Sequence, residues 1–437
     1  MLELDCGLEF DASRDAEFFA SLPPRPGVLL LEMADPSAQP YLARTADIRG
    51  AAERLLRVPE APSKRLNLRS VAARIRYRAT GSKFEQTFTL YQHARARFPR
   101  RYHDLMRLRP PAFLKVNLRS EYPRCYVTRR ILDDEGFYFG PFASRRAADA
   151  FSESFLDLFK IRRCQIRIRR DPDFPGCIYS EMKMCLAPCF AGCTQQEYDA
   201  EMGRVLETLE TTGEALTGKF TREREAASEA LDFERAAALH KRLEKVSGVL
   251  RGLPEIARRI EKLNAVIIER AADKNTIVAF PVLRGLLAEP IFLRFGELSS
   301  EPRSVEAILR RGLGTKAQPA TPDSAVVQNA LREKSEVESA TQPGCAAGEE
   351  SNTAGSSLPA PTDRQRYGLQ SVTPELPEHL SLLARWFYSN PRDGEIFFKE
   401  ADWPYRRILR ACARLLAPAA EASVQPRPEM PPSQASK

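Results

Sequence analysis

A cysteine-rich segment near the middle of the chain constrains the fold more than any other feature of the sequence. Cys164, Cys177, Cys185 and Cys189 are separated by twelve, seven and three residues, in a chain with nine cysteines among 437 residues. Four thiolates are the ligand set that a [4Fe–4S] cluster or a structural zinc ion requires. The paired C-x2-C knuckles of a zinc ribbon are absent, so the spacing favours an iron–sulfur cluster and leaves zinc as the alternative. Cys193 is either a substitute ligand or a bystander.

The compartment predicted from the sequence agrees with a metal role for these cysteines. No run of eighteen apolar residues predicts a transmembrane helix, and the acidic N-terminus does not resemble a secretory signal. We therefore expect a cytoplasmic protein, in which clustered thiols more often bind metal than form disulfides. The other interpretation, that the cysteines are small buried hydrophobes, fits poorly with the polar, loop-like residues between them.

Positive charge is concentrated in one stretch of the chain. Residues 61–130 contain 18 Lys and Arg against three acids, while the whole chain has a net charge of +8. Such an excess indicates a polyanionic partner, most simply nucleic acid, although a solvated basic face is the simpler alternative. The candidate DNA-binding residues are Arg74, Arg76, Arg78, Arg100, Arg101, Arg129 and Arg130.

Periodicity and composition predict a mixed α/β chain of several modules. A small α/β module is followed by a connector, the cysteine segment and a long helical region. A β-containing piece then precedes a stretch rich in Ala, Pro, Ser and Thr, which is typical of a disordered linker. The predicted boundaries are 20–105 for the α/β module, 106–160 for the connector, 161–194 for the cysteines, 195–252 for the helices, 255–312 for the β-rich piece, 313–368 for the linker, 369–416 for a helical piece and 417–437 for a tail.

The helical region ends in a predicted hairpin. Asp232 can cap a helix that carries a seam of apolar residues at spacings of three and four, and the preceding helix can fold back on it. The pattern fits an internal helix pair and a docking surface for a partner or a second copy equally well. The candidate partner-binding residues are Leu231, Phe233, Ala236, Leu239, Leu243 and Val246.

Several segments taken together resemble the UvrC family, an excinuclease component of bacterial nucleotide excision repair. The cysteine spacing matches, and VTRR, YFGPF and CLAPC occur in the family's order. The resemblance covers most of residues 20–310 and, more weakly, 370–415. It implies a [4Fe–4S] cluster on the four cysteines and damaged double-stranded DNA as a partner. It also implies that residues 218–250 form a UVR motif, which pairs with a like hairpin of the helicase UvrB.

The resemblance also implies that the first module is a GIY-YIG nuclease fold whose catalytic residues are degenerate. The family's first tyrosine falls on Leu29, its helix arginine on Ala51 and a second tyrosine on Leu55, while the metal-binding glutamate falls within Leu90-Tyr91-Gln92. Mg²⁺ would be needed only if activity survives. The remnants of the site are Tyr41 and Arg44, and the candidate substitutes are Arg49, Arg54 and Glu85.

The sequence thus predicts a UvrC-like DNA-binding subunit with little or no nuclease activity. The family's C-terminal RNase H-like nuclease and helix-hairpin-helix pair have no recognisable counterpart here, and residues 265–295 resemble the segment that precedes that nuclease. Two alternatives stay open. The chain could be an active GIY-YIG endonuclease that makes a single incision near a lesion, or a metal-bearing UVR adaptor outside repair.

Overall fold

The described part of the fold is built on three sheets, which are joined and covered by helices. The computed structural model describes residues 2–58, 64–134, 136–296, 304–314 and 373–417. The predicted linker at 313–368 and the predicted tail at 417–437 lie almost entirely outside the described residues. Among the helices that are described, none is long and apolar enough to cross a membrane.

The first sheet contains four antiparallel strands in the order β1-β4-β2-β3. Its elements and those that follow are β1 (Cys6–Glu9), α1 (Asp15–Ser21), β2 (Gly27–Met33), β3 (Tyr41–Thr45), α2 (Ile48–Leu56), β4 (Ala72–Ala79), α3 (Lys83–Arg97) and α4 (Tyr102–Met106). The module predicted at 20–105 therefore begins earlier than its predicted boundary, because β1 pairs with β4 along its whole length.

Strand β2 is buried on both faces, which explains its continuous apolar sequence. Leu29 and Leu31 belong to the cluster that α1 and α2 complete on one side of the sheet. Val28 and Leu30 belong to a second cluster, where Leu90 of α3 packs against them. Because side chains alternate along a strand, β2 contributes to two small cores at once.

The second sheet has the order β6-β5-β7-β8 and an aromatic core. Phe139 and Phe155 are fully buried in this core together with Tyr198 from the helical region. Strand β8 follows the helical region in sequence, so the chain leaves this sheet through α5 and returns to it at β8. The elements are β5 (Ala112–Asn117), β6 (Arg124–Thr128), β7 (Gly136–Phe142), α5 (Arg145–Leu156) and β8 (Arg258–Arg259).

Four helices lie in the excursion between α5 and β8. Helix α7 buries Met202, Val205 and Leu209 in the second core, which gives it an apolar stripe at helical spacing. Helices α8 and α9 form a hairpin that extends from α7. The bounds are α6 (Ile178–Glu181), α7 (Gln195–Glu210), α8 (Glu214–Glu229) and α9 (Phe233–Leu250).

The third sheet unites two pieces of the chain that the sequence predicted as separate. The prediction at 369–416 was a helical piece, but this stretch also contains strand β13, which pairs with β9. A four-residue strand is too short for its alternation to be recognised, so no local pattern indicates it. The elements are β9 (Ala265–Arg270), β10 (Thr276–Leu283), β11 (Leu286–Leu287), β12 (Ile291–Arg294), α10 (Val305–Gly314), α11 (Glu375–Phe387), β13 (Glu395–Phe398) and α12 (Tyr405–Leu416).

Helix α3 joins the first module to the third sheet. One of its faces packs on the first sheet, and the other presents Phe84 and Phe88 to Phe280 of β10. Helix α11 covers the same side of the third sheet with Leu380 and Leu383. The largest apolar cluster therefore spans residues from both ends of the chain.

A buried carboxylate lies at this junction. Glu269 of β9 accepts hydrogen bonds from Ser82 Oγ, at the start of α3, and from Trp386 Nε1 of α11 at 2.7 Å. Burial raises the pKa of Glu269 to about 7, and the charges of Asp393 and Glu85 act in the same direction. One acidic side chain thus connects three segments that are distant in sequence.

We predict that Glu269→Gln makes stability less dependent on pH. A carboxyl group with a pKa near 4.5 when unfolded and about 7 when folded binds its proton more tightly in the native state. Its contribution is complete below pH 4.5 and is lost as the pH rises through 7, by roughly 3 kcal/mol at most. The free energy of unfolding, measured by urea denaturation from pH 4.5 to 8, should fall more steeply for the native protein than for the variant. Glu207→Gln, at an exposed position of α7, is the control; equal slopes for the native protein and Glu269→Gln would contradict the prediction.

Candidate functional site

The cysteine segment is a folded loop between α5 and α7. Three residues with left-handed backbone, Lys183, Ala187 and Ala191, reverse the chain at φ values of 56°, 57° and 60°. Backbone hydrogen bonds fasten the loop, with Asp171 N donating to Cys189 O and Leu186 N donating to Lys160 O, both at 2.9 Å. The short helix α6 and a 3-10 turn at Pro188–Phe190 complete it.

The four predicted ligand cysteines lie within electrostatic range of one another. Burial, together with the negative charges of Cys164, Cys177 and Cys189, raises the pKa of Cys185 to about 11. A backbone N–H of Ala187 donates to Cys185 Sγ at 3.3 Å and acts in the opposite direction. Several neighbouring thiols repel one another when they are ionised. A bound cation would neutralise this repulsion, which is the electrostatic pattern of a metal site.

The arrangement of these sulfurs is not contracted around an ion. In the described part of the chain, no group of three or more His, Cys, Asp or Glu side chains is placed to hold a metal. The influence of these thiols on one another's pKa indicates that they lie near one another. Coordination of an ion would require the sulfurs to converge more tightly. The donor chemistry of four cysteines in one folded loop fits a thiolate-bound cluster or zinc. Cys193 is buried in the apolar second core.

The positions that the resemblance assigns to catalysis in the first module hold apolar, packed side chains. Leu29, Ala51 and Leu55 are all buried in one cluster, which Phe18 and Phe19 of α1 complete. Tyr41 is half-buried and packs against the same cluster. These three positions therefore offer no polar group to a phosphodiester.

The candidate arginines of this module differ in their contacts. Arg49 is committed to the fold, because its Nε donates to Leu22 O at 2.8 Å and its Nη2 donates to Ala20 O at 3.0 Å. Arg44 is exposed and its Nη1 donates to Thr87 Oγ1 of α3 at 3.4 Å. Arg54 is exposed on α2.

Glu85 is inside the protein. Its side chain is 1% exposed and accepts a hydrogen bond from Gly81 N at 2.9 Å, with Arg78 Nε at 3.6 Å. Burial raises the pKa of Glu85 despite these partners. The carboxylate therefore stabilises the start of α3 and does not face solvent where Mg²⁺ could be delivered with its water ligands.

Sequence analysis missed a buried carboxylate that contacts the segment in which the resemblance places the metal-binding glutamate. Tyr91 OH donates to Glu378 Oε2 of α11 at 2.5 Å, and Tyr102 OH donates to Glu378 Oε1 at 2.5 Å. His103 Nε2 lies 3.2 Å from the same carboxylate. In the sequence, Glu378 is followed by His379 at the start of an apolar helix. This pattern does not indicate that Glu378 contacts a residue of α3.

The candidate DNA-binding arginines fall into two groups. Arg78 and Arg76 hold the N-terminal segment, since Arg78 Nη1 is 2.8 Å from Asp5 Oδ2 and Arg76 Nη2 donates to Leu4 O at 3.5 Å. The remaining five are exposed, and within this group Arg101 Nη1 donates to Gln39 Oε1 at 3.4 Å. The exposed residues are Arg74, Arg100, Arg101, Arg129 and Arg130.

The helical hairpin uses most of its predicted seam internally. Leu239 and Val246 of α9 are 5% and 2% exposed, and Ala236 and Leu243 are half-buried. At the base, Gly213 has φ of 94°, and a Cβ there would lie 2.1 Å from Leu250 Cδ1. The pattern alone fits internal pairing and partner docking equally, and the structure assigns the seam to internal pairing.

The tip of the hairpin is different from the seam. Leu231 and Phe233 are 71% and 67% exposed, and Leu231 has left-handed backbone with φ of 59°. Asp232 Oδ1 accepts from Arg235 N at 3.0 Å and caps α9, as its sequence predicts. The cap holds two large apolar side chains at the end of a protruding arm.

Comparison with known protein families gives a match in the middle of the chain. Residues 112–208 match the UvrC/Cho excinuclease middle domain, a range that includes the second sheet through β7, the cysteine loop and most of α7. No solved structure matches the chain significantly.

Curated relatives match a longer part of the chain. The UvrABC system protein C of Dehalococcoides mccartyi is 27% identical over 291 residues, which is 65% of this chain and 47% of that protein. The protein of the same name from Carboxydothermus hydrogenoformans is 27% identical over 283 residues, covering 64% of this chain and 46% of its own length. That of Ruminiclostridium cellulolyticum is 33% identical over 135 residues, or 31% of this chain and 22% of that protein.

The chain spans about half the length of the first two of these curated relatives. The matched middle domain contains the cysteine loop whose spacing first suggested the resemblance, and the longer alignments extend well beyond it. The chain is therefore similar to UvrC proteins, most clearly in the middle domain at residues 112–208.

Proposed function

We propose that this protein is a DNA-binding subunit of nucleotide excision repair that docks a UvrB-like helicase and has little or no nuclease activity. The observation that carries the proposal is the hairpin, which buries its own seam and leaves Leu231 and Phe233 exposed at its tip. Its relatives are named as components of the UvrABC system, which makes a helicase of that system the first partner to test.

The tip has the composition of a small binding hot spot. A central aromatic or aliphatic anchor with a polar rim is the usual arrangement of such spots. Glu229, Glu234 and Arg235 are exposed beside the two apolar residues and supply that rim. A similar hairpin on the partner would bury Phe233 against the apolar tip of the partner's hairpin.

DNA binding is the second part of the proposal. Arg100, Arg129 and Arg130 are exposed, and no carboxylate is paired with them in the described part of the chain. Guanidinium groups of this kind bind phosphates without reading the sequence. Counterion release then makes affinity fall steeply with salt.

The third part of the proposal is a weak or absent nuclease. Hydrolysis of a phosphodiester needs a group that activates water and a carboxylate that holds Mg²⁺. Leu29, Ala51 and Leu55 supply neither, and Glu85 is enclosed. The module would then contribute a folded surface and phosphate contacts through Arg44 and Arg54.

The cysteine loop would hold a [4Fe–4S] cluster on Cys164, Cys177, Cys185 and Cys189, with zinc as the alternative. When bound, the cluster would cross-link four points of a loop that has little regular structure and supply the positive charge its thiolates lack. The chain's own residues position the loop through backbone hydrogen bonds to Lys160 and Asp171.

We predict that Phe233→Ser weakens binding of a UvrB-like helicase by at least about tenfold, because a truncated hot-spot anchor typically costs about 2 kcal/mol or more. Binding of the purified helicase is measured by calorimetry. Leu105→Ser, at a site that is 53% exposed on α4, is the matched control for loss of exposed apolar surface. Unchanged affinity in Phe233→Ser would exclude the tip as the docking site.

We predict that Cys185→Ala abolishes the visible absorbance of anaerobically purified protein, because a cluster site with three thiolates holds its iron poorly. Cys193→Ala serves as the control and should keep the absorbance, since Cys193 is buried in the apolar core. Iron and zinc are quantified in both variants. Full absorbance in Cys185→Ala would show that the ligand set is wrong.

We predict that the native protein does not nick UV-damaged supercoiled plasmid with Mg²⁺ or Mn²⁺, even with UvrA and UvrB, while still binding the DNA with strong salt dependence. The reason is that the segment Leu90-Tyr91-Gln92, where the metal-binding glutamate is expected, carries no carboxylate. Incision that disappears in Tyr41→Phe or Glu85→Gln would instead establish the active endonuclease. Loss of DNA binding with retained helicase binding would favour the adaptor outside repair.

A further inference from the structure

We infer that the cysteine loop carries an apolar wedge, Ile178 and Met182, that inserts among unpaired or unstacked DNA bases. This inference rests on the proposed DNA-binding function and adds a specific element to it. The element would give the protein a preference for distorted DNA over a regular duplex.

The two side chains form one exposed apolar pair. Ile178 is the first residue of α6 and Met182 follows its last residue, so they are four positions apart and lie on the same face of one helical turn. They are 63% and 61% exposed, among the highest values for large apolar residues in the described chain. Single exposed apolar residues are ordinary, but an adjacent pair at this exposure points to a contact surface.

The turn that presents the pair is fixed. Met182 N donates to Ile178 O at 3.0 Å, and Met184 N donates to Tyr179 O at 2.9 Å. Ser180 Oγ donates to Cys177 O at 2.6 Å and holds the start of the turn. Because the backbone is already ordered, contact with a ligand would cost little further conformational entropy.

Positive charge precedes and follows the pair in the sequence. Residues 160–170 contain six Lys and Arg and no acid. Three of these cations support the fold: Arg162 Nη1 donates to Ile166 O, Arg163 pairs with Asp157, and Arg170 Nη2 donates to Cys193 O. Lys160, Arg167 and Arg169 are exposed, and Lys183 is exposed immediately after Met182.

The basic run begins beside the segment that follows the apolar pair. Leu186 N donates to Lys160 O at 2.9 Å, which places the first cation of the run next to the residues just after Met182 and Lys183. A phosphate backbone held by the cations would therefore pass close to the apolar pair. The acids of this region, Asp171, Asp173 and Glu181, leave residues 160–183 with seven cations against three acids.

This combination favours DNA over a protein partner. Proteins that kink DNA insert Ile, Met or similar side chains between base steps and hold the neighbouring phosphates with Lys and Arg. Insertion costs least where stacking has already been lost, as at a mismatch or damaged base. A protein interface of this size would instead be expected to exclude unpaired cations from its centre.

The test compares two DNAs of the same sequence, one fully paired and one with a short unpaired bubble. The double variant Ile178→Ser, Met182→Ser should bind the bubble roughly tenfold more weakly than native protein, with little change on the paired duplex. Leu132→Ser, which is 52% exposed outside the cysteine segment, is the matched control. A 2-aminopurine in the bubble reports unstacking directly, and its response should shrink only in the double variant.

The outcomes separate this inference from the function on which it rests. If the double variant keeps the native preference for the bubble, the wedge is wrong while DNA binding stands. If the native protein binds neither DNA, the proposed function itself fails. If the double variant loses affinity for the UvrB-like helicase and not for the bubble, the pair is a protein contact and the inference is overturned. A double variant that lacks visible absorbance is replaced by Ile178→Asn alone, judged by the same two measurements.

Discussion

The burial of helix α3 on two sides is the constraint on which the rest of the structure depends. The helix packs Leu90 on the first sheet and Phe84 and Phe88 on the third, so neither module has a complete core without it. Glu269 and Glu378 add buried hydrogen bonds across the same junction. Buried polar groups of this kind are costly unless they are satisfied, which fixes how the segments meet. The first and last segments of the described residues are therefore parts of one folded body.

Local patterns predicted the elements well and their partners poorly. The apolar run of β2, the Asp232 cap and the helical repeat of α9 are each visible within a few residues, and the structure contains all three. The pairing of β13 with β9 and the contact of Glu378 with Tyr91 join residues far apart in sequence. Nothing in a short window encodes such contacts. The same limit explains why the contacts of Arg76 and Arg78 with the N-terminal segment could not be read from the sequence.

The candidate surfaces differ in how they are related to the cores. The residues that the resemblance assigned to catalysis lie in apolar clusters, where Leu29 and Leu55 contribute to stability. The hairpin tip and the cysteine loop each carry two large apolar side chains that are more than 60% exposed. A catalytic side chain that borders a core can be replaced by an apolar one, because the apolar side chain gains stability by packing into that core. The two exposed apolar pairs gain no such packing, which makes them candidates for contacts with other molecules.

The close contact between Gly213 and Leu250 has a consequence for how this architecture can change. The arm formed by α8 and α9 starts and finishes at almost one point, and its apolar seam is satisfied within the arm. Topologically it is an insertion into the α7–β8 connection. Such an arm can be lengthened or exchanged beyond its base during evolution, because it meets the aromatic core through Leu216 and Val249 near that base. Partner choice and nucleic-acid contact could thus diverge independently within one lineage.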